Sequence, residues 1–489
     1  MTRYRSRYAP FVLGTGSLAI GAVLALFTLA AALAGETWQG FAAGAMLGLL
    51  LSLVLRRVGR ARAEPARREA LIAVLGTWLL IPAIGAVPFV VAGPLGPIDA
   101  YFESMSGFTT TGATVIVDFE RTGRVLMMWR SLTQWIGGIG IIVLFIAIFP
   151  ALAIAGRQLF FAEAPGPTED RLLPRLRNTA NAILVVYVAL TAVVAVLYVL
   201  VGMGPYDAIA HALTTLAAGG FSPHPLSFEG YGAGASWVAS VGMLFAGANF
   251  ALLYRTFGGR PRDILRDPEF RAYASILAAA AALLVFLLGQ TYAWGEALRH
   301  AVFQALSIMT STGYASADFA LWSPQAQGVL VALMFVGGSA GSAAGGVKVV
   351  RWLILAGHTR REVQRVLHPR AVLPLRLGRR IVPEEVVRAV AAFATVYLVL
   401  TAFSTLALVL MGHDALTAFT ASLACIGNIG PGLGAVGPML SYSDFHGVAK
   451  GLLIFDMFAG RLEVVTVFVV FARGWWRLPR RGRGWAYRA

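Results

Sequence analysis

The sequence predicts an all-α integral membrane protein: an N-terminal helical hairpin, then four tandem units of helix, short re-entrant helix, glycine turn and helix in a pseudo-fourfold arrangement. Three observations predict it. Hydrophobic residues make up 58% of the 489 and charged residues only 13%, against about 25% charged in soluble domains, and mean hydropathy is +0.72. Arginine clusters alternate with apolar stretches long enough to span a bilayer. Finally, "SGFTTTGATV", "TTLAAGGFSPH", "SIMTSTGYASA" and "ACIGNIGPGLG" each lead through two residues to a glycine, at Gly112, Gly220, Gly313 and Gly430.

A helix needs about 20 apolar residues to cross the hydrocarbon core. Ten stretches qualify: 11–34, 38–57, 69–92, 124–154, 179–202, 234–257, 272–290, 327–357, 387–412 and 447–473. The first follows basic residues, but it exceeds a secretory leader's apolar run and no convincing cleavage site follows, so it reads as a retained helix. Arg56, Arg57, Arg60, Arg62, Arg67 and Arg68 crowd one interval. Arg171, Arg175 and Arg177 mark the next on that side, then Arg255 to Arg271, then a run from Arg360 to Arg380. The intervening intervals carry only Arg121, Arg124 and Arg299. Under the positive-inside rule the rich intervals are cytoplasmic, at the inner face of the cell membrane, with both termini on that side. The net charge of +16 therefore reflects membrane topology and implies no nucleic-acid partner. The single cysteine, Cys425, excludes an intrachain disulfide and a cysteine-ligated metal cluster.

Before each glycine stands a shorter apolar segment: 98–108, 205–217, 294–310 and 413–425. These are too short to span and too apolar for solvated loops, which suits re-entrant helices. Asp99, Glu103, Asp207, Glu296 and Asp414 lie at or near their starts, where a carboxylate offsets the positive end of the helix dipole. The marker glycines are 108, 93 and 117 residues apart, a scale of tandem repeats around a shared axis. The expected divisions are 1–66 for the hairpin, then 67–170, 171–266, 267–380 and 381–489 for the four units.

Irregular backbone at membrane depth is tolerated only when buried in protein or lining a watery cavity. Four turns on one axis would offer carbonyl oxygens in place of an ion's hydration shell. Glycine suits such turns because it reaches unusual backbone angles and leaves the lumen clear. Thr109, Thr110, Thr111, Ser311, Thr312 and Asn428 add neutral oxygens. No ring of carboxylates accompanies them, which argues against a calcium-type site.

Residues 337–348 read "GGSAGSAAGGVK", with Gly337, Gly338, Gly341, Gly345, Gly346 and Lys348 inside an apolar stretch. Each interior glycine costs a helix about 1 kcal/mol relative to alanine. The segment is no nucleotide P-loop, since Lys348 is followed by Val349 and not by Ser or Thr. It suits either close helix packing or a flexible intramembrane loop. Arg461, in the last apolar stretch, needs either a carboxylate such as Asp456 or Glu463, or a cavity. His211 reads as a packed polar residue, and "WIGGIG" at 135–140 as helix packing. Nothing in the sequence supports catalysis.

The stretches "YFESMSGFTTTGATV", "RSLTQWIGGIGIIVL", "EAPGPTEDRLLPRLRNTA", "AAGGFSPH", "SIMTSTGYASADFALW" and "FDMFAGRLEVVT" together resemble the TrkH branch of the Trk/Ktr/HKT superfamily of potassium transporters, from about residue 66 to 473. The extra N-terminal hairpin is also similar to that branch. The resemblance implies a potassium filter at Thr110-Thr111-Gly112, Ala218-Gly219-Gly220, Ser311-Thr312-Gly313 and Asn428-Ile429-Gly430. Sodium-favouring plant relatives carry serine at the first of these glycines, so Gly112 implies potassium. The second turn departs in having alanine where hydroxyls are common. The resemblance also implies that the 337–348 loop and Arg461 obstruct the path below the filter until regulated, where Lys348 at the loop's end would add an electrostatic barrier or a latch to a carboxylate. It further implies a homodimer in membrane lipid, served by a cytoplasmic nucleotide-binding subunit of the TrkA type. The alternative, a secondary active transporter coupling ions to a solute, needs inverted repeats, whereas these units run in parallel.

Overall fold

The computed structural model describes residues 7–60, 67–93, 95–147, 172–378 and 380–472. The extreme N-terminus, the Glu163–Arg171 part of "EAPGPTEDRLLPRLRNTA", and the basic tail from 473 lie outside the described residues. The chain opens on two helices, Tyr8–Ala34 and Gln39–Val58. Gly40, Gly44 and Gly48 recur every four residues and so share one helix face. Small residues let such backbones approach closely: a Cβ on Gly48 would lie 2.9 Å from both the Gly21 Cα and the Ser17 carbonyl oxygen.

Four more long helices follow, Arg67–Val91, Leu172–Leu200, Pro268–Leu288 and Glu384–Leu410. With the opening pair they supply the six apolar stretches long enough to cross a membrane among the described residues, and no more than 50% of any such stretch is buried. Leu50, Val185, Phe286 and Val399 stand exposed on their outer faces. An apolar surface of that extent suits a lipid surround.

The interior is built from four short helices, Pro97–Phe108, Pro205–Leu216, Trp294–Met309 and Ala415–Ile426. Every residue of 102–108, 303–309 and 420–426 is buried. Proline at the first helical position starts the first two, where its missing N–H costs nothing. Asp99, Asp207 and Glu296 sit in first turns, and Asp414 caps the fourth helix by accepting from the Thr417 amide at 3.0 Å. Glu103 departs from the dipole expectation: it is seventh in its helix and fully buried.

The other four expected spans are not uniform. Arg124–Ala147 runs as a helix to the edge of the described residues, but 234–257, 327–357 and 447–473 are not single helices. Ala233–Ala246 and Phe250–Phe257 meet at 105°. There Gly247 packs against Tyr273 and Thr310, and Asn249 restarts the helix by accepting from the Ala251 and Leu252 amides. Pro324–Met334 and Val349–Leu367 are separated by the glycine-rich loop. Gly447–Arg461 stops at Leu462, because Glu463 takes a φ of 65° that no right-handed helix accommodates. One further departure from an all-helical chain is a two-residue antiparallel pair, Arg376–Leu377 with Arg380–Ile381, reversed by Gly378 at a φ of 59°.

Candidate functional site: four glycine turns and the loop beneath them

All four short helices end alike. In the first, the Thr111 amide donates back to the Ser106 carbonyl at 2.8 Å and the Thr110 amide to the Gly107 carbonyl at 2.9 Å. The same nested pair joins Gly219 to Thr214 and Ala218 to Thr215, Thr312 to Ser307 and Ser311 to Ile308, and Ile429 to Ala424 and Asn428 to Cys425. This is the Schellman ending, which needs a left-handed residue and usually takes glycine there. Here Thr110, Ala218, Ser311 and Asn428 occupy it, with φ between 52° and 56°. Two residues on, the backbone turns left-handed again at Gly112, Gly220, Gly313 and Gly430, with φ from 78° to 98°.

Close approach explains why the second position is glycine every time. A Cβ on Gly112 would strike the Gly219 carbonyl oxygen, one on Gly220 that of Thr312, and one on Gly313 that of Ile429. One on Gly430 would lie 2.7 Å from the Thr111 carbonyl oxygen. The contacts thus pass from each turn to the next and return to the first. All four glycines line a single open cavity of about 390 Å³, with Thr114, Ser222, Pro431 and Tyr442 among its other walls.

Polar side chains behind the turns fix them. Nine residues before each marker glycine stand Glu103, His211, Gln304 and Ala421. Glu103 accepts from the Val115 amide at 2.9 Å, His211 Nε2 lies 3.1 Å from Ser222 Oγ, and Gln304 Nε2 donates to the Tyr314 carbonyl at 3.0 Å. In the fourth unit Thr420 takes over, accepting from the Leu433 amide at 2.9 Å. Glu103 also pairs with Arg130 at 2.6 Å, and Arg130 donates to the Ser222 carbonyl at 2.9 Å while lying over the Phe221 ring. Gln134 brackets the second turn, donating to the Gly219 carbonyl at 2.6 Å and accepting from the Phe221 amide at 3.0 Å. Asn428 Nδ2 joins the fourth turn to the first through Thr111 Oγ1 at 2.9 Å.

The 337–348 segment is an ordered loop pressed against these turns. Its Gly345 amide donates to Ser311 Oγ, and a Cβ on Gly345 would strike the Gly427 carbonyl and crowd Asn428. Gly337 and Val347 are bonded across its mouth at 2.9 Å, as are Val349 and Gly338 at 3.1 Å. Gly341 takes a φ of 74° and Gly346 one of 67°, which accounts for the glycines better than helix packing does. Lys348 donates to the Ala344 carbonyl of the loop itself, not to a carboxylate.

Arg461 is buried at the end of its helix and donates to the Ala343 carbonyl at 3.0 Å. Neither expected carboxylate partners it: Asp456 accepts from Ser404 at 2.9 Å, and Glu463 pairs with Arg351. Its Nε and Nη2 have no hydrogen-bond partner among the described residues, nor do Asn428 Oδ1 and Thr110 Oγ1. Arg461, Asn428, Lys348 and Gly345 line a cavity of about 20 Å³, room for roughly one water molecule.

The structure thus brings the four turns together and seats Gly345 of the loop and Arg461 beside them. Sequence reasoning missed Arg130 and Gln134. An arginine inside an apolar stretch was the available signal for Arg130, because a charge at that depth needs a partner.

Residues 39–475 match the family described as TrkH, cation transport protein. Among relatives, the chain is 38% identical over 430 residues to the Trk system potassium uptake protein TrkH of Vibrio parahaemolyticus, covering 86% of this chain and 88% of that one. It is 36% identical over 424 residues to the TrkH protein of Escherichia coli, covering 85% and 87%. The crystal structure of the potassium transporter TrkH from Vibrio parahaemolyticus superimposes with a TM-score of 0.84 at 34% identity, covering 96% of this chain and 99% of that one. With its apolar helices, its four turns and a match that runs through nearly all of it, the chain belongs to the TrkH family of cation transport proteins.

Proposed function

We propose that this chain takes potassium into the cell through the opening between the four turns. The reading treats the short helices as re-entrant, the four units as pseudo-fourfold about that opening, and the arginine-rich face as cytoplasmic. The observation that carries it is the closed succession of glycine-to-carbonyl contacts from Gly112 through Gly220 and Gly313 to Gly430. Backbone oxygens held in such a ring replace water around a dehydrated cation, and their neutrality lets it leave again. The names of the relatives, potassium uptake proteins, support the choice of ion.

Below the ring, the loop and Arg461 form the barrier. A cavity of about 20 Å³ does not admit a hydrated cation, and the guanidinium repels one in a low-dielectric surround. Regulation then moves the loop, through a cytoplasmic nucleotide-binding subunit docked on the arginine-rich face, with two copies of the chain side by side. The parts serve binding and passage, and no reaction is assigned to them.

The test is flux and reversal potential of the purified chain in lipid bilayers with mixed potassium and sodium. Wild type should favour potassium, and Gly112→Ser should lower the preference by roughly tenfold, a change of about 1.4 kcal/mol between the two ions. An unchanged reversal potential in the folded variant removes Gly112 from the selective ring.

A further inference from the structure

We propose that Glu269 is the latch of the glycine-rich loop, a positioning residue that holds both of its ends and lets go when the path opens. The inference rests on the reading of that loop as the barrier. Glu269 is the second residue of the long helix Pro268–Leu288. It is not needed as that helix's cap, because Asp267 already accepts from the Phe270 amide at 2.7 Å. Its carboxylate reaches instead across 71 and 81 residues of sequence. One oxygen, Oε1, accepts from the Ala340 amide at 2.7 Å and from the Val350 amide at 3.2 Å. Those two amides flank residues 341–349, the part of the loop that carries the contacts to Ser311 and Arg461. That single oxygen therefore ties both ends of the loop to the start of another helix, and removing an acceptor shared by two amides leaves both without that partner.

The surroundings make the latch reachable from the arginine-rich side. Glu269 lines a cavity of about 830 Å³ together with Arg266, Arg271 and Arg380. Val350 belongs to a small apolar cluster, separate from the main core, that also holds Leu375, Val382 and Val386, with Ala340 and Leu377 packed on it. The short antiparallel pair is therefore seated on the same two loop ends that Glu269 holds. Its Gly378 also lies against Pro268, the residue before Glu269: a Cβ there would be 3.4 Å from the Pro268 ring. A push on that pair bears at once on the helix start and on the loop ends, which is where a single bond acceptor can be pulled from two donors.

The experiment uses the full chain in proteoliposomes with a thiol reporter on the loop, Ser342→Cys, and rubidium as the transported probe. Cys425 is fully buried, so labelling by a water-soluble thiol reagent from the arginine-rich side reads the loop. Glu269→Ala should speed labelling by about tenfold, as expected when two hydrogen bonds are lost, and should raise rubidium flux. Glu269→Gln retains an acceptor oxygen and should stay within about threefold of wild type on the same ground. Glu269→Asp keeps the charge but falls one methylene short, and should label fast; it serves as the second variant if the alanine protein does not fold. Rubidium-over-sodium preference should be unchanged in all three, since the turns are untouched. Wild-type labelling in folded Glu269→Ala or Glu269→Asp overturns the latch. Fast labelling with unchanged flux upholds the latch and instead removes the loop as the barrier.

Discussion

Thr110, Ala218, Ser311 and Asn428 hold side chains in a left-handed conformation that costs of order 1 kcal/mol or more for each. The helix ending demands that conformation, and the residue's own chemistry decides what the strain serves. Ser311 bonds the loop, Asn428 bonds the first turn, and Ala218 bonds nothing through its side chain. Arg461 presents the other residue-scale question, and its two nitrogens without a hydrogen-bond partner among the described residues give the answer a direction. Arg461→Ala should raise potassium flux at least about tenfold, taking the barrier as a charge repulsion of more than about 1.4 kcal/mol, while Arg461→Lys should keep much of the block. Neutralising Asp456 or Glu463 should not alter that result, because neither pairs with Arg461; flux per folded protein, measured for single and double variants, decides it. Glu103 and Arg130 form the opposite case, a buried pair with both members satisfied. Glu103→Gln strands the arginine and should destabilise the protein by about 3–5 kcal/mol, seen as a fall in thermal stability that Arg130→Gln in the same chain partly reverses.

At the scale of elements, the turns were legible because two constraints leave a mark in sequence: a left-handed ending at fixed distance from a helix, and a glycine wherever another backbone comes close. The loop was legible as a run of small residues, though not whether they packed or turned; Gly341 and Gly346 at positive φ answer that. The breaks in the other two interrupted spans, 234–257 and 447–473, were not legible. Gly247 and Glu463 act through one backbone angle or one tight contact inside text that otherwise reads as continuous helix. Glu103 was misread as a helix-start carboxylate because its partner Arg130 lies 27 residues away, a separation with no local period. Removing residues 339–345 tests the loop as an element: basal flux should rise by roughly tenfold or more, by the same repulsion and exclusion that block a hydrated ion. A folded, inserted deletion variant with wild-type flux would assign the segment to packing.

For the molecule as a whole, polarity is arranged with apolar side chains outward and buried hydroxyls, amides and charges at the centre. The proposed ion site exists only when four distant segments meet, so an ion that binds there binds the folded chain and not the unfolded one. Thermal stability in detergent should then climb with potassium, by about 2.7 kcal/mol at a hundred times the dissociation constant, and climb less with sodium at equal ionic strength. Equal effects of the two salts would mean that the ring does not discriminate. The four turns also belong to one continuous chain, which gives the opening a property that an assembly of four identical subunits lacks. In such an assembly a single altered codon rewrites every wall at once. Here it rewrites one quarter, leaving three to hold the ring while the fourth is tried. The second turn, alanine-bearing and bracketed by Gln134, already differs from its neighbours in this way, so a ring that selects as proposed can be adjusted in quarter steps.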